Sequence, residues 1–117
     1  MIEGMHELAI TQALLDLVLN KVEELGAKRI LKINLVIGDL TGIVEECVDF
    51  YFETLSKNTK AEGAELSFRR VPARARCRDC GTEFNPEDLY WTCPSCGGWK
   101  VEITAGKECY IESMEVE

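Results

Sequence analysis

Four cysteines carry the strongest chemical signal in this 117-residue sequence. They form two Cys-x-x-Cys pairs separated by twelve residues, and they are Cys77, Cys80, Cys93 and Cys96. Each pair can wrap a tight turn around one ion, so two pairs supply the four tetrahedral thiolates that Zn²⁺ favours. Gly81 and Gly97 follow the second cysteine of each pair, where such a turn needs a residue that tolerates positive φ. The spacing therefore predicts a zinc site.

A zinc ion with four thiolate ligands has no open position for water or substrate, so we expect this zinc to be structural. The segment from Arg76 to Trp99 contains few aliphatic residues, and the metal would replace the missing core. The sequence contains no nucleophile elbow, HExxH motif or P-loop. These observations predict a protein that is not an enzyme.

The second candidate site is the single histidine, His6, which is followed by Glu7 near the start of a predicted helix. The simplest interpretation is a surface histidine beside a glutamate that favours the helix dipole. The functional interpretation is an imidazole beside backbone amides, a nitrogen-rich set suited to square-planar Ni²⁺ or Cu²⁺. Residue types alone leave both interpretations open.

Hydrophobic periodicity predicts the elements that must position these residues. Apolar residues at three- and four-residue steps predict a helix from Glu7 to Leu25 and another from Val44 to about Ser56. The first helix should bury an apolar stripe that consists of Ile10, Ala13, Leu14, Leu17, Val18 and Leu25. Alternation predicts strands over 29–37, 65–71 and 107–116. In the first strand, Leu31, Ile33, Leu35 and Ile37 should form the one buried face.

These elements predict an α+β fold. Two helices pack on a three-stranded mixed sheet, and a four-cysteine zinc-ribbon subdomain is inserted before the last strand. We expect residues 1–72 and 102–117 to form the α+β domain and residues 73–101 to form the subdomain.

The net charge of −8 and the pI near 4.7 argue against a nucleic-acid-binding protein. One basic run departs from this balance and consists of Arg69, Arg70, Arg74, Arg76 and Arg78. We interpret the run as a solvated strand edge paired with nearby acids. The alternative is a docking patch for an acidic protein.

Two further cysteines, Cys47 and Cys109, lie in apolar stretches, as buried free thiols do. This pattern indicates a reducing compartment. No signal peptide opens the sequence, and no apolar run approaches the roughly 18 residues of a membrane helix. We therefore expect a cytoplasmic protein that does not enter a membrane.

Several segments, taken in order, resemble one known family. They are Met5-His6-Glu7-Leu8-Ala9-Ile10, the strand and turn over 36–42, Ala61-Glu62-Gly63-Ala64-Glu65-Leu66, the cysteine quartet, and Gly106-Lys107-Glu108 before the last strand. Together they resemble the HypA/HybF family of hydrogenase nickel-insertion proteins. The resemblance covers nearly the whole chain from Met5 onward.

The resemblance implies a nickel metallochaperone with a structural zinc site in the cysteine quartet. Nickel would be bound transiently by the His6 side chain and by backbone nitrogens that include the terminal amine. Met5 would contribute through its backbone, and Glu7 through its amide or by local support. A HypB-type GTPase would assist delivery to the hydrogenase large subunit, and the chain would be a monomer or weak homodimer. Whether urease also receives nickel is left open.

The sequence departs from the family pattern at its start, because Met1-Ile2-Glu3-Gly4 precedes the motif. Either Met5 is the mature start, or a carboxylate of Glu3 or Glu7 replaces the terminal amine as a ligand. The alternative function is a zinc-ribbon adapter or regulator that acts through protein contacts.

Overall fold

The computed structural model describes residues 2–86 and 92–117, and it describes side chains from His6 onward. Residues 87–91, which fall within the predicted zinc segment, lie outside the described part, as does the Glu3 carboxylate considered above. The helices are α1 (Ile2–Leu25) and α2 (Glu45–Leu55), and a short 3-10 helix spans Asp39–Thr41. The strands are β1 (Ile30–Gly38), β2 (Glu65–Val71), β3 (Arg74–Cys77), β4 (Glu83–Phe84), β5 (Val101–Ala105) and β6 (Cys109–Val116).

The first sheet is a mixed three-stranded sheet in the order β2-β1-β6. The last strand runs antiparallel to β1, because the Lys28 amide donates to the Glu117 carbonyl at 2.8 Å and the Gly38 amide donates to the Glu108 carbonyl at 2.7 Å. The predicted fold class, with two helices and a mixed three-stranded sheet that the last strand rejoins, is therefore confirmed.

A second three-stranded sheet, in the order β4-β3-β5, supports the cysteine segment. Strand β3 pairs antiparallel with both neighbours; Cys77 lies opposite Val101, and Ala75 lies opposite Ile103. Ala75 and Cys77 are fully buried in this small sheet. The sequence pattern does not predict these three strands, because each has only two to five residues.

The chain forms two compact units. One contains Met1–Val36, Ile43–Arg69 and Tyr110–Glu117, and the other contains Ile37–Gly42 and Arg70–Cys109. The first unit includes both helices, and the second includes the cysteine segment. The predicted division, with 1–72 and 102–117 as one domain and 73–101 as a subdomain, stays a prediction.

Helix α1 buries a stripe that shares only Leu14 and Val18 with the one that its apolar residues predict. The buried side chains are Glu7, Thr11, Leu14, Leu15, Val18 and Val22, whereas Leu17 and Leu25 are 61% and 56% exposed. The prediction differs because two of the buried residues, Glu7 and Thr11, are polar, and a pattern of apolar residues does not include them. Glu7 accepts a hydrogen bond from the Val44 amide, and the Thr11 hydroxyl donates to the Glu7 carbonyl at 2.6 Å.

Strand β1 is buried on both faces rather than on one. Ile33, Leu35 and Ile37 are buried as predicted, but Leu31 is 40% exposed, and Ile30 and Val36 on the opposite face are buried. Strand β1 lies at the centre of its sheet, so β2 and β6 flank it on both sides. At its start, the Ile30 amide also donates to the Lys60 carbonyl at 2.8 Å. Both faces of β1 therefore carry buried side chains, a pattern that period-two alternation does not predict.

Two glycines let the chain segments after β1 and β5 pass in contact. A Cβ atom built on Gly38 would lie 2.1 Å from the carbonyl carbon and oxygen of Gly106. The Leu40 amide donates to the Gly106 carbonyl at 2.8 Å, and the Glu108 carboxylate accepts the Gly106 amide at 2.8 Å. No larger residue fits at Gly38 without displacing this backbone.

The arginines of the basic run are largely paired with acids, which confirms that part of the interpretation. Arg69 pairs with Glu112 and Arg70 with Asp39, while Arg76 and Arg78 share Glu102. The hydrogen bond from Arg76 holds the pKa of Glu102 below its ordinary value. The predicted edge location is wrong for β3, which is the central strand of its sheet.

Cys109 is exposed, contrary to the prediction, because it is the first residue of an edge strand, whereas Cys47 is half-buried.

Among the described residues, no helix has the length and apolar character needed to cross a membrane.

Candidate metal centres

The four predicted cysteines come together at one place. Their sulfur atoms all lie within 4.8 Å of one another, and the Cys77–Cys96 and Cys80–Cys93 sulfur pairs are 3.6 Å and 3.5 Å apart. Four sulfurs placed at about 2.3 Å from one Zn²⁺ ion lie about 3.8 Å from each other. The cluster therefore fits a tetrahedral four-thiolate ion without rearrangement of the backbone.

Two similar turns build this cluster. The Gly81 amide donates to the Cys77 carbonyl at 2.9 Å, and the Gly97 amide donates to the Cys93 carbonyl at 2.8 Å. Both glycines have positive φ, at 76° and 72°, as their position after each pair predicts. Cys77 ends β3, so the small sheet fixes the first turn. The equivalent turns bring two cysteines from each segment to one centre.

The ligands differ in their exposure and in their hydrogen bonds. Cys77 and Cys93 are buried, whereas Cys80 and Cys96 are exposed. Backbone amides of Ser95 and Gly98 lie 3.4 Å from the sulfurs of Cys93 and Cys96, respectively. Cys80 instead has the hydroxyl of Thr82 at 3.2 Å from its sulfur. The exposed pair places one edge of the metal centre at the surface.

The thiols compete for protons when no cation balances them. Hydrogen bonds from the Thr82 hydroxyl and amide lower the pKa of Cys80 to about 6. At Cys96 the Gly98 amide favours the thiolate, but hydrogen bonds with the other cysteines outweigh it and raise the pKa to about 12. Four thiolates at this separation repel one another, and a divalent cation at their centre would offset that repulsion. Thr82 is a supporting residue that the sequence analysis did not identify.

The predicted nickel residues Met5, His6 and Glu7 lie on successive positions of α1. The His6 side chain is exposed, whereas the Glu7 side chain is only 2% exposed. The cysteine quartet is the one group of three or more His, Cys, Asp and Glu side chains that the described residues bring within metal-binding range, and His6 is not in it. His6 therefore offers one surface imidazole without a second clustered side-chain ligand.

Glu7 connects α1 to the start of α2. Its Oε2 atom accepts the amide of Val44, the N-cap residue of α2, at 2.8 Å. Its Oε1 atom is buried and has no hydrogen-bond partner among the described residues. A carboxylate at this position also favours the dipole of α2. The predicted dipole role thus applies to α2 rather than to α1, and the buried carboxylate is not presented at the surface beside His6.

Comparison with known proteins relates these centres to one family. A family model described as "Hydrogenase/urease nickel incorporation, metallochaperone, hypA" matches residues 5–116. The chain belongs to the HypA family. Members of this family are maturation factors and not enzymes. The match begins at Met5, the first residue of the Met-His-Glu motif, and it includes all four cysteines.

Curated HypA proteins match nearly the whole chain. "Hydrogenase maturation factor HypA" of Dehalococcoides mccartyi is 49% identical over 113 residues, which cover 97% of this chain and 95% of the relative. The protein of that name from Caldanaerobacter subterraneus subsp. tengcongensis is 49% identical over 114 residues, which cover 97% of this chain and all of the relative. The match to HypA therefore extends across both compact units.

Solved HypA structures share the fold. The structure titled "Solution structure of HypA protein" has a TM-score of 0.73 and 26% identity, and the match covers 97% of each chain. A second solution structure, of the Ni metallochaperone HypA from Helicobacter pylori, has a TM-score of 0.65 and 24% identity over 94% of this chain and 96% of that one. These likenesses confirm the HypA fold of two helices with a cysteine-bearing unit.

Proposed function

We propose that this chain carries Ni²⁺ for the assembly of the [NiFe]-hydrogenase active site. Met5, His6 and Glu7 bind the ion, with the His6 imidazole as the side-chain ligand and backbone nitrogens as the others. One observation carries the proposal: the match to a nickel-incorporation family begins at Met5, and the only histidine of the chain follows directly. The exposure of His6 supports it, because a carrier must give its ion away.

The cysteine cluster holds Zn²⁺ as a resident structural ion in this proposal. Tetrahedral thiolates suit zinc, whereas planar nitrogen donors suit Ni²⁺. Two of the four sulfurs belong to buried residues, and the small sheet fixes one turn. The two ions therefore use separate ligands, and the loss of one should leave the other in place.

The helical backbone sets a condition on nickel binding. Helix α1 begins at Ile2, so the amides of His6 and Glu7 have helical acceptors at Ile2 and Glu3, four residues earlier. An amide nitrogen binds nickel only after it loses its proton, and it then cannot donate that hydrogen bond. Nickel binding must therefore break the hydrogen bonds of the first helical turns, or the active chain must begin at Met5. In a chain that begins at Met5, Ile2 and Glu3 are absent and these amides have no helical acceptors. Nickel binding should also weaken as pH falls.

Delivery requires partners. We propose that a HypB-type GTPase assists delivery and that the hydrogenase large subunit receives the ion. We also propose that the carrier is a monomer or a weak homodimer. The family description also includes urease, so a urease could receive the ion instead. Cys47 and Cys109 are unpaired thiols, which suits work in the reducing cytoplasm.

The decisive experiment is calorimetric nickel titration of zinc-loaded protein in two forms, one beginning at Met1 and one at Met5. We expect tighter binding by the form that begins at Met5, because its terminal amine is available and its amides need not leave helical hydrogen bonds. In the tighter form, His6→Ala should abolish binding of one equivalent while the zinc content remains unchanged. Asn20→Ala, an exposed change on the same helix, is the matched control. Tight nickel binding by His6→Ala would contradict the proposed site.

A second candidate function is an adapter that acts through protein contacts alone. One observation favours it: Trp99, beside the cysteine cluster, is 77% exposed. Under this alternative, His6→Ala would leave hydrogenase maturation unchanged in cells. Loss of maturation in that variant, with rescue by added nickel salt, would favour the carrier.

A further inference from the structure

The second compact unit carries an apolar groove beside the metal cluster. Trp99, Leu40, Val101, Ile103 and Lys107 line a groove of about 430 Å³, which we call the Trp99 surface. Trp99 is 77% exposed and Leu40 is 37% exposed. An exposed tryptophan leaves a large apolar area in water, and tryptophan is enriched in the buried centres of protein interfaces.

The backbone holds this surface in place. Val101 and Ile103 belong to β5 and pair with the buried residues Cys77 and Ala75 of β3. The Val101 amide donates to the Trp99 carbonyl at 3.0 Å, and the Leu40 amide donates to the Gly106 carbonyl at 2.8 Å. Binding of a partner would therefore cost little further ordering of the backbone of this chain.

The one charged residue that lines the groove is a lysine, although the chain as a whole is acidic. Lys107 lines the groove, Lys100 follows Trp99, and neither lysine has an ion pair among the described residues. Nearby, Arg76 and Arg78 share the single carboxylate of Glu102. The net charge of the whole chain is −8. Two lysines without ion pairs, next to exposed apolar side chains, suit a partner that is both acidic and apolar.

We propose that the Trp99 surface docks an acidic segment of a partner protein. A large apolar side chain of that segment contacts Trp99 and Leu40, and flanking carboxylates pair with Lys107 and Lys100. This docking uses no residue of the proposed nickel site, so it can hold for a nickel carrier and for an adapter alike. The lysines make binding depend on salt concentration, and the Trp99 indole, which becomes buried on docking, supplies most of the affinity.

The test uses zinc-loaded, full-length Trp91→Phe protein, in which Trp99 is the sole tryptophan. The probe is a dodecapeptide that contains Leu-Phe flanked on both sides by aspartates. We expect its addition to shift Trp99 emission to shorter wavelength, because the indole leaves water, and we expect binding to weaken with added salt. A peptide with lysines in place of the aspartates should not bind.

Variants separate the two contributions. Lys107→Glu should weaken binding of the acidic peptide about tenfold or more, since repulsion replaces attraction. Lys28→Glu, an exposed lysine of the other compact unit, is its matched control. In calorimetry, Trp99→Ala should abolish binding, whereas Phe50→Ala removes an exposed aromatic side chain of α2 and should have no effect. Unchanged zinc content and an unchanged far-UV circular dichroism spectrum together establish that each variant is folded.

Three outcomes would overturn the proposal. The first is emission of Trp99 that does not respond to the acidic peptide, or that responds equally to the lysine peptide. The second is a concentration-dependent blue shift of the protein alone, with dimers in sedimentation, which would make a second copy the occupant. The third is preferential binding of a single-stranded oligonucleotide, which would identify phosphate as the ligand of the lysines.

Discussion

The cysteine cluster and the His6 segment offer a metal opposite surroundings. At the cluster, four sulfurs within 4.8 Å of one another come from two hydrogen-bonded turns, and two of the cysteines are buried. At the helix, one imidazole is exposed and the neighbouring carboxylate is buried against another segment. One region has a complete ligand set within a fixed backbone, and the other has a single side chain.

The two surroundings suit different tasks: the cysteine cluster can retain its ion, and the His6 segment can release one. A complete shell leaves no open position through which a new ligand can attack, so the ion exchanges slowly. A partial, exposed set can be completed by backbone nitrogens and displaced by a recipient. The contrast supports the assignment of zinc to the cluster and of the transferable nickel to His6. It also predicts that damage to either region should leave the other largely intact.

The largest effect should follow from Cys77→Ala, which removes a buried ligand of the cluster. We expect loss of zinc and of the fixed structure of residues 74–86 and 92–105, because structural zinc contributes about 10–16 kcal/mol in zinc-finger peptides. Metal analysis and amide NMR spectra of the variant measure both effects, and the helices of the first unit should keep their signals. Cys109→Ala, an exposed cysteine outside the cluster, is the control. Full zinc content in Cys77→Ala would remove the distinction between the two regions.

The cluster was predictable from the sequence because its geometry is local. Each pair lies within one turn, and Gly81 and Gly97 mark the positions of positive φ. The return of the last strand to the first sheet was also predictable, from the alternation of β1 and β6 and the position of the cysteine segment before the last strand, whereas the strand order β2-β1-β6 was not. The family resemblance depended on motif order, which the match over 5–116 supports.

The rest depended on partners far apart in the sequence. Glu7 is buried because the Val44 amide, 37 residues later, needs an acceptor, and nothing near Glu7 indicates this. Leu31 is exposed and Val36 is buried, the reverse of what the period of β1 predicts, because burial depends on tertiary packing rather than on local sequence. Thr82 could have been identified by its position two residues after Cys80, where a hydroxyl can reach the thiolate.

A smaller effect should follow from Glu7→Ala, which tests whether the buried neighbour of His6 is structural. The change leaves the Val44 amide without its acceptor and opens a cavity, so we expect a loss of about 1–3 kcal/mol in the free energy of unfolding. Urea unfolding followed by far-UV circular dichroism measures it. Glu53→Ala, an exposed glutamate of α2, should cost much less. An unfolding midpoint equal to that of the parent protein would mean that the Glu7 contact contributes nothing to the first unit.

The same variant separates structure from metal binding. Zinc content should be unchanged, because Glu7 and the cysteines belong to different compact units. Nickel affinity should change little if Glu7 contributes only its backbone nitrogen, whereas a large loss without unfolding would assign the carboxylate to the nickel site.

The smallest effect should follow from Thr82→Val, which tests how firmly the exposed edge of the cluster holds its ion. Valine keeps the shape of threonine but loses the hydroxyl that lies 3.2 Å from the Cys80 sulfur. Residues that support metal ligands typically contribute 10–100-fold to affinity, and Thr82 also bonds Cys80 through its amide, so we expect about a tenfold loss. The rate of zinc transfer to a chromogenic chelator measures this loss. Thr104→Val, an exposed threonine of β5, should transfer zinc at the parent rate. Equal rates in both variants would mean that the shell of four thiolates alone retains the ion, which would make the contrast with the His6 segment sharper still.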